Sequence, residues 1–224
     1  MNSAAPSRLA LAAAHLWSKL TGRRARAQQK AKQAFQAVLS RLGPQDIAID
    51  LGANAGEFTL PMAATGAQVY AFEPDPHALT LLRRAVGARD NVTIVAAAAG
   101  TKAGVARLYR KSGFAREPDR ATKSSSLYAE KRNVRAEDAL DIEIRDFPAF
   151  LTALDRDIAL IKMDIEGAEV DLMEALLAAP VAARIGEIYV ETHERGLPHL
   201  AARTAALRAA TAGATAPRVN WDWH

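Results

Sequence analysis

The chain contains no cysteine. Disulfides and thiolate metal centres are therefore excluded, and cysteine usage leaves the redox compartment open. It also lacks any run of about 18 consecutive apolar residues, so no segment reads as a membrane-spanning helix. Acidic residues are missing from the first 45 positions, which hold eight basic ones: Arg8, Lys19, Arg23, Arg24, Arg26, Lys30, Lys32 and Arg41. The formal charge of +4 is thus concentrated at one end. Residues 46–224 carry 21 basic against 25 acidic side chains, a net −4. A domain of that sign is not built chiefly to hold nucleic acid.

With 224 residues, half of them hydrophobic, the chain can bury the core of one domain plus extensions. Residues 1–45 read as a basic helical N-terminal extension, and 46–224 as the main folded domain. Phe35, Val38, Leu39 and Leu42 fall at i, i+3, i+4 and i+7, one face of a helix; Leu9, Leu16 and Leu20 suggest a second stripe. Such helices are expected to pack on the domain or on a second subunit, as in a homodimer. Basic residues beside apolar faces also suit an anionic membrane surface, so a cytoplasmic protein with an optional peripheral membrane contact is expected. The apolar run 9–16 is too short and lacks the basic leader of a cleaved signal, whereas an acid-free, Ala- and Arg-rich composition leaves a transit peptide open.

From position 47 onward, apolar runs alternate with helix-compatible stretches. Strands at 47–50, 68–72, 91–96, 159–164 and 188–191, with helices near 56–64, 76–86, 168–178 and 200–212, predict an α/β fold with a mostly parallel sheet and helices on both faces. Residues 104–110 read as an extra strand pairing with 141–145, and 219–223 as a last strand. Residues 111–137 are polar and long for a loop in a compact domain, which marks a lid or substrate-recognition segment. A plain mobile insertion is the competing reading. Trp221 and Trp223 read as core or sheet-edge aromatics rather than a sugar platform. His15, His77, His199 and His224 receive no role.

The most informative run is Ile49-Asp50-Leu51-Gly52-Ala53-Asn54-Ala55-Gly56: a strand, an acid, a glycine turn and a helix start. Glycine lets main chain approach a ligand closely, and free N–H groups at the helix start favour an anionic group. Asn54 stands where the dinucleotide fingerprint has its middle glycine, which weakens a reading as an NAD site. The resulting D-x-G-x-x-x-G resembles motif I of the class I S-adenosylmethionine (AdoMet) methyltransferases. Glu73 ends the second strand about 20 residues further on, where α/β nucleotide sites place an acid on ribose hydroxyls. A second run, 161–169, repeats strand, acid and glycine turn around Asp164. Asp50, Glu73, Asp164 and Glu191 all fall at carboxyl ends of strands, the edge where ligands bind in parallel sheets.

Asp50–Gly56, Phe72-Glu73-Pro74, Lys162–Glu169 and Tyr189–His193 together resemble the FkbM family of AdoMet-dependent methyltransferases, over roughly residues 45–195. Ser124-Ser125-Ser126-Leu127 also fits a serine-rich segment of that family. The resemblance implies a Rossmann-like class I methyltransferase fold, AdoMet as donor, and O-methylation of a hydroxyl on a sugar, glycan or secondary metabolite. It further implies that Asp50, Gly52, Asn54 and Gly56 hold the methionine end of AdoMet, that Glu73 holds its ribose, and that residues around Ala98 lie by the adenine. Asp164 would stand near the transferred methyl.

An aliphatic hydroxyl has a high pKa, so a positioned base or a metal matters. Asp164, Glu191 and His193 are the candidate catalytic residues, with His193 closest to neutrality in its ordinary pKa. Alternatively the same three supply ligands to Mg²⁺ or another divalent cation. Glu166 is within reach of such a site, and Glu169 reads as structural at a helix start. Two other classes compete: an RNA methyltransferase using the basic N-terminus as an arm, and a non-catalytic methyltransferase-like module.

Overall fold

The computed structural model describes residues 22–131 and 133–223. The stripe of Leu9, Leu16 and Leu20, together with Arg8, His15 and Lys19, lies outside the described residues, as does His224. In chain order the elements are α1 (Arg23–Leu39), β1 (Ile47–Leu51), α2 (Thr59–Ala64), β2 (Gln68–Phe72), α3 (Pro76–Val86), β3 (Val92–Val95), β4 (Ala98–Gly100), β5 (Gly104–Lys111), α4 (Pro118–Ala121), β6 (Val134–Asp146), α5 (Phe147–Leu154), β7 (Ile158–Met163), α6 (Glu169–Ala178), β8 (Ile185–Val190), α7 (Ala201–Ala210) and β9 (Arg218–Asn220).

Six strands form one sheet in the order β3-β2-β1-β7-β8-β9, and every neighbouring pair is parallel. Strands covered on both faces read as continuous apolar runs, which is why β1 is buried at all five positions. Side chains alternate between the two faces. Ile47, Ile49, Leu51, Phe72, Ile161, Met163 and Ile188 face one core, shared with α5, α6 and α7 through Leu151, Val170, Met173 and Leu207. Ala48, Val69, Leu160 and Tyr189 face the other, shared with α1 and α2 through Ala31, Phe35, Val38 and Met62. The fold is a three-layer α/β sandwich with helices on both faces.

The stripe of Phe35, Val38 and Leu39 packs directly on the sheet. Phe35 is 1 % exposed and its ring meets Phe58, Tyr189 and Trp223 at centroid distances of 5.8, 5.1 and 4.5 Å. Trp223 is buried in this cluster, and Trp221 is buried on the opposite side with its Nε1 donating to Thr211 Oγ1 (2.9 Å). Both are core residues.

A smaller sheet, β4-β6-β5, adjoins the main one. β5 and β6 run antiparallel with Arg107 opposite Asp141. This hairpin is longer than its expected 104–110 and 141–145 segments, because β6 starts at Val134 and consumes the end of the supposed loop. Two elements differ from expectation. The third strand stops at Val95, and Ala98–Gly100 leaves the main sheet to pair with β6. Helix α5 went unread; its start is marked by Asp146, whose carboxylate accepts from the Ala149 N–H (2.9 Å), and by Pro148 in the first turn. Among the described residues, no helix is long and apolar enough to cross a membrane.

Candidate active site

The chain runs outward from β1 to β2 and β3, then returns to place β7 on the other side of β1. Ligands in open parallel sheets bind at such a reversal, outside the carboxyl ends of the strands. Here the turns after β1, β2 and β7 border a cleft. Gly52, Asn54, Glu73 and Ala98 line it, as does Asp164.

Gly52 adopts φ 76°, and a Cβ there would collide with the Asp164 carbonyl oxygen. The glycine is therefore required so that the turns after β1 and β7 can lie against each other. Asn54 also takes a left-handed φ of 46°, a conformation asparagine tolerates well. Its backbone N–H donates to Glu73 Oε2 (2.9 Å), and the Asp75 N–H donates to Glu73 Oε1 (2.8 Å). Burial pushes the Glu73 carboxyl up to about 7. Ala98, with Ala99, Leu108, Leu127 and Phe72, makes an apolar wall beyond Glu73. Asp50 and Gly56 stand behind the cleft instead of lining it. Gly56 closes the turn by donating to the Ala53 carbonyl (2.8 Å).

Asp50 is fully buried, opposite Lys162 in the β1–β7 register. Its Oδ2 accepts from Thr59 Oγ1 (2.7 Å), and its Oδ1 lies 3.2 Å from Lys162 Nζ. Lys162, 2 % exposed, also donates to the Gly52 carbonyl (2.9 Å) and reaches within 4.0 Å of Asp164 Oδ2. Its Nζ stands 5.2 Å from the centre of the Phe58 ring. Burial works against this charge, but Asp50 and then Asp164 outweigh it and hold the ammonium above its ordinary value. The motif aspartate thus serves as the counter-ion of a lysine pillar beneath the glycine turn.

Asp164 is the first residue past β7, and Glu191 the first past β8; the Glu191 N–H donates to the Met163 carbonyl (2.9 Å). Burial raises the Asp164 carboxyl to about 7, with Lys162 pulling it down and Glu191 and Glu166 pushing it up. Asp164 Oδ1 is buried and has no hydrogen-bond partner. His193 sits between carboxylates: Nδ1 is 3.0 Å from Glu169 Oε1, and Nε2 is 3.2 Å from Glu166 Oε2 and 3.8 Å from Asp164 Oδ1. Burial opposes its charge, yet Glu169, Glu166 and Asp164 together raise it to about 9. The three carboxylates thus favour the protonated ring at neutral pH, and His193 would have to give up that proton before acting as the base its ordinary pKa suggested. Glu169 accepts from the Ile165 and Gly167 N–H groups (both 2.9 Å), fixing the turn as it fixes the histidine. Glu191 and His193 also border a second depression beyond the cluster, with Lys131 and Glu194.

Residues 50–209, well over half of the chain, match the methyltransferase FkbM domain. The chain belongs to the FkbM methyltransferase family. One curated relative, ribosomal RNA small subunit methyltransferase A of Rubrobacter xylanophilus, is 37 % identical over 82 residues, 34 % of this chain and 31 % of that protein. The chain therefore spans less than a third of the length of the curated relative it matches. Among solved structures, precorrin-6y C5,15-methyltransferase from Geobacter metallireducens is similar at 14 % identity and a TM-score of 0.39, covering 77 % of this chain and 68 % of that one. Precorrin 8W decarboxylase from Methanobacterium thermoautotrophicum is similar at 18 % identity and a TM-score of 0.35, covering 63 % and 52 %.

In this FkbM domain the described residues of the segment 111–137 include helix α4, a bridge to β5 and the start of β6 rather than an open loop alone. Tyr109 and Ser126 exchange two backbone hydrogen bonds (2.8 and 2.9 Å), laying residues 122–127 along β5 and across the cleft. Asn54 Nδ2 donates to Thr122 Oγ1 (2.9 Å), and Ser126 Oγ donates to the Glu166 carbonyl (2.6 Å). Lys131, buried, pairs with Glu166. Gly167, at φ 122°, leaves room for Leu197 and Tyr128 beside the turn. Lys131, Thr122 and Ser126 carried no sequence signal beyond the serine-rich run, because their partners lie 35 to 68 positions away.

Asp164, Glu166 and His193 each offer a ligand atom within 4.8 Å of the others. Without an ion Lys131 pairs with Glu166 and the carboxylates favour a protonated His193, so a divalent cation there would have to displace both the lysine and a proton. Glu191 is not in that group at all. The donor cleft, by contrast, suits AdoMet: a carboxylate for a vicinal diol at Glu73, an apolar wall for a base, and an orphaned carboxylate oxygen at Asp164.

Proposed function

We propose that the protein is an AdoMet-dependent O-methyltransferase acting on a hydroxyl of a small molecule or glycan. The reading rests on Asp164, which lines the cleft next to Gly52, its Oδ1 buried without a hydrogen-bond partner and 3.8 Å from His193 Nε2, its carboxyl pushed up to about 7. A base of that strength suits proton removal at neutral pH, and a carboxylate on the cleft wall suits an incoming hydroxyl. AdoMet, when bound, supplies a methyl carbon activated by its sulfonium. Gly52, Asn54 and Glu73 orient the donor, and the apolar wall at Ala98 excludes water from the base. Asp164 would receive the proton of the acceptor hydroxyl as that oxygen takes up the methyl group. Lys162 holds the Asp164 carboxylate in place and keeps its pKa from climbing further. His193 and Lys131 neutralise Glu166, so the turn carries its acids without repulsion. The acceptor is expected on the side of the second depression, near Glu191 and Glu194.

The 82-residue likeness to a ribosomal RNA methyltransferase favours RNA as a second reading. It requires RNA affinity that falls steeply with salt. The deciding experiment is calorimetric titration of AdoMet, S-adenosylhomocysteine and NAD into the protein, followed by methyl transfer to a panel of hydroxylated acceptors and RNA. Binding of the first two without NAD, and transfer to a hydroxyl, supports the proposal. A folded protein that binds none of them sinks it and revives a partner-binding module.

A further inference from the structure

Ser125 belongs to none of the interactions described above. It lines the donor cleft, is 9 % exposed, and its Oγ has no hydrogen-bond partner. Residues on either side of it along the segment are committed. Thr122 is tied to Asn54 in the glycine turn, and Ser126 is tied by its side chain to the Glu166 carbonyl and by its backbone to Tyr109. Residues 122–126 therefore form a strap stapled to the turns after β1 and β7, with one buried, unpartnered hydroxyl on a residue that lines the cleft. A buried hydroxyl without a partner lowers stability unless something arrives to satisfy it. The cleft is lined both by apolar residues, Phe72, Ala98 and Leu108 among them, and by polar ones such as Asn54 and Asp164. The strap's staples to Asn54 and Glu166 tie the residues on either side of Ser125 to the turns after β1 and β7.

We propose that Ser125 is a donor-binding residue whose hydroxyl bonds the α-amino-acid end of the methyl donor, so that the strap closes on that end rather than on the nucleoside. The inference rests on the donor-site reading above. A serine hydroxyl both donates and accepts, which suits a group carrying a carboxylate and an ammonium.

The test is calorimetry of S-adenosylhomocysteine and of 5′-methylthioadenosine, which lacks the amino-acid end, on the full chain and on Ser125→Ala. Urea unfolding of the ligand-free proteins accompanies it. The variant is expected to weaken S-adenosylhomocysteine by about ten- to a hundredfold, the effect of a hydrogen bond to a charged group. Methylthioadenosine affinity is expected to hold within about twofold. The unfolding midpoint without ligand is expected not to fall, since the mutation removes an unsatisfied group. Equal weakening of both ligands, unchanged affinity for S-adenosylhomocysteine, or a lower midpoint would each overturn the assignment. A wild-type protein that is folded yet binds neither ligand overturns the donor site itself, and this assignment with it.

Discussion

Lys162→Met is the perturbation with the largest consequence worked from the structure. The ammonium is 2 % exposed and its partner Asp50 is fully buried, so solvent screens neither. Methionine keeps most of the apolar stem but leaves the Asp50 carboxylate uncompensated. Removing one partner of a buried pair costs about 3–5 kcal/mol. The 2.9 Å hydrogen bond to the Gly52 carbonyl disappears as well. A loss near 4 kcal/mol corresponds to a fall in Tm of about 8–16 °C for a chain of this length. Urea unfolding followed by circular dichroism measures it. The double variant Asp50→Asn, Lys162→Met removes both charges and should recover at least half the loss, because the buried carboxylate no longer needs a cation. A second readout is the pH profile of activity. Lys162 pulls the Asp164 carboxyl down, so its loss should move the ascending limb to higher pH. A single variant that loses less than about 1 kcal/mol, or a double variant that recovers nothing, would refute the lysine pillar.

Asp164→Asn should lower kcat by about 10²–10⁴-fold while S-adenosylhomocysteine still binds, measured by methyl transfer beside calorimetry. His193 is raised in the fold from 6.5 to about 9, so its stabilising contribution is full below pH 6.5 and is lost as pH rises through 9. Stability should fall by roughly 3 kcal/mol across that window, and the decline should flatten in His193→Gln; an unchanged slope in that variant would contradict the carboxylate cage. Phe35→Ala should cost about 3–5 kcal/mol in denaturant unfolding if α1 is an integral layer of the fold; a near-neutral result would make it a detachable appendage.

The parallel sheet was legible because β1, β2, β7 and β8 are written as largely apolar runs, each followed by an acid or a glycine. The carboxyl-edge acids Glu73, Asp164 and Glu191 followed from those stops. Less could be read where partners are far apart in sequence. Asp50 looks like a ligand-facing acid until the register sets it beside Lys162, 112 positions later. His193 looks like a neutral base until three carboxylates surround it. The short strand at Ala98–Gly100 and helix α5 were missed for a different reason: one is three alanine- and glycine-type residues with no pattern, the other hides its cap behind a strand.

The aromatic cluster of Phe35, Tyr189 and Trp223 joins the first described helix to the last described residue. On the ribosome, helix α1 can form as soon as it leaves the exit tunnel, but its seat on the sheet does not exist until β8 and Trp223 have followed. Synthesis proceeds at about 5–20 residues per second, so α1 waits on the order of ten seconds or more with its apolar side uncovered. The lining of the cleft runs only from Gly52 to Ala168, so the strands that carry the site are made well before the aromatic seat of α1 is complete.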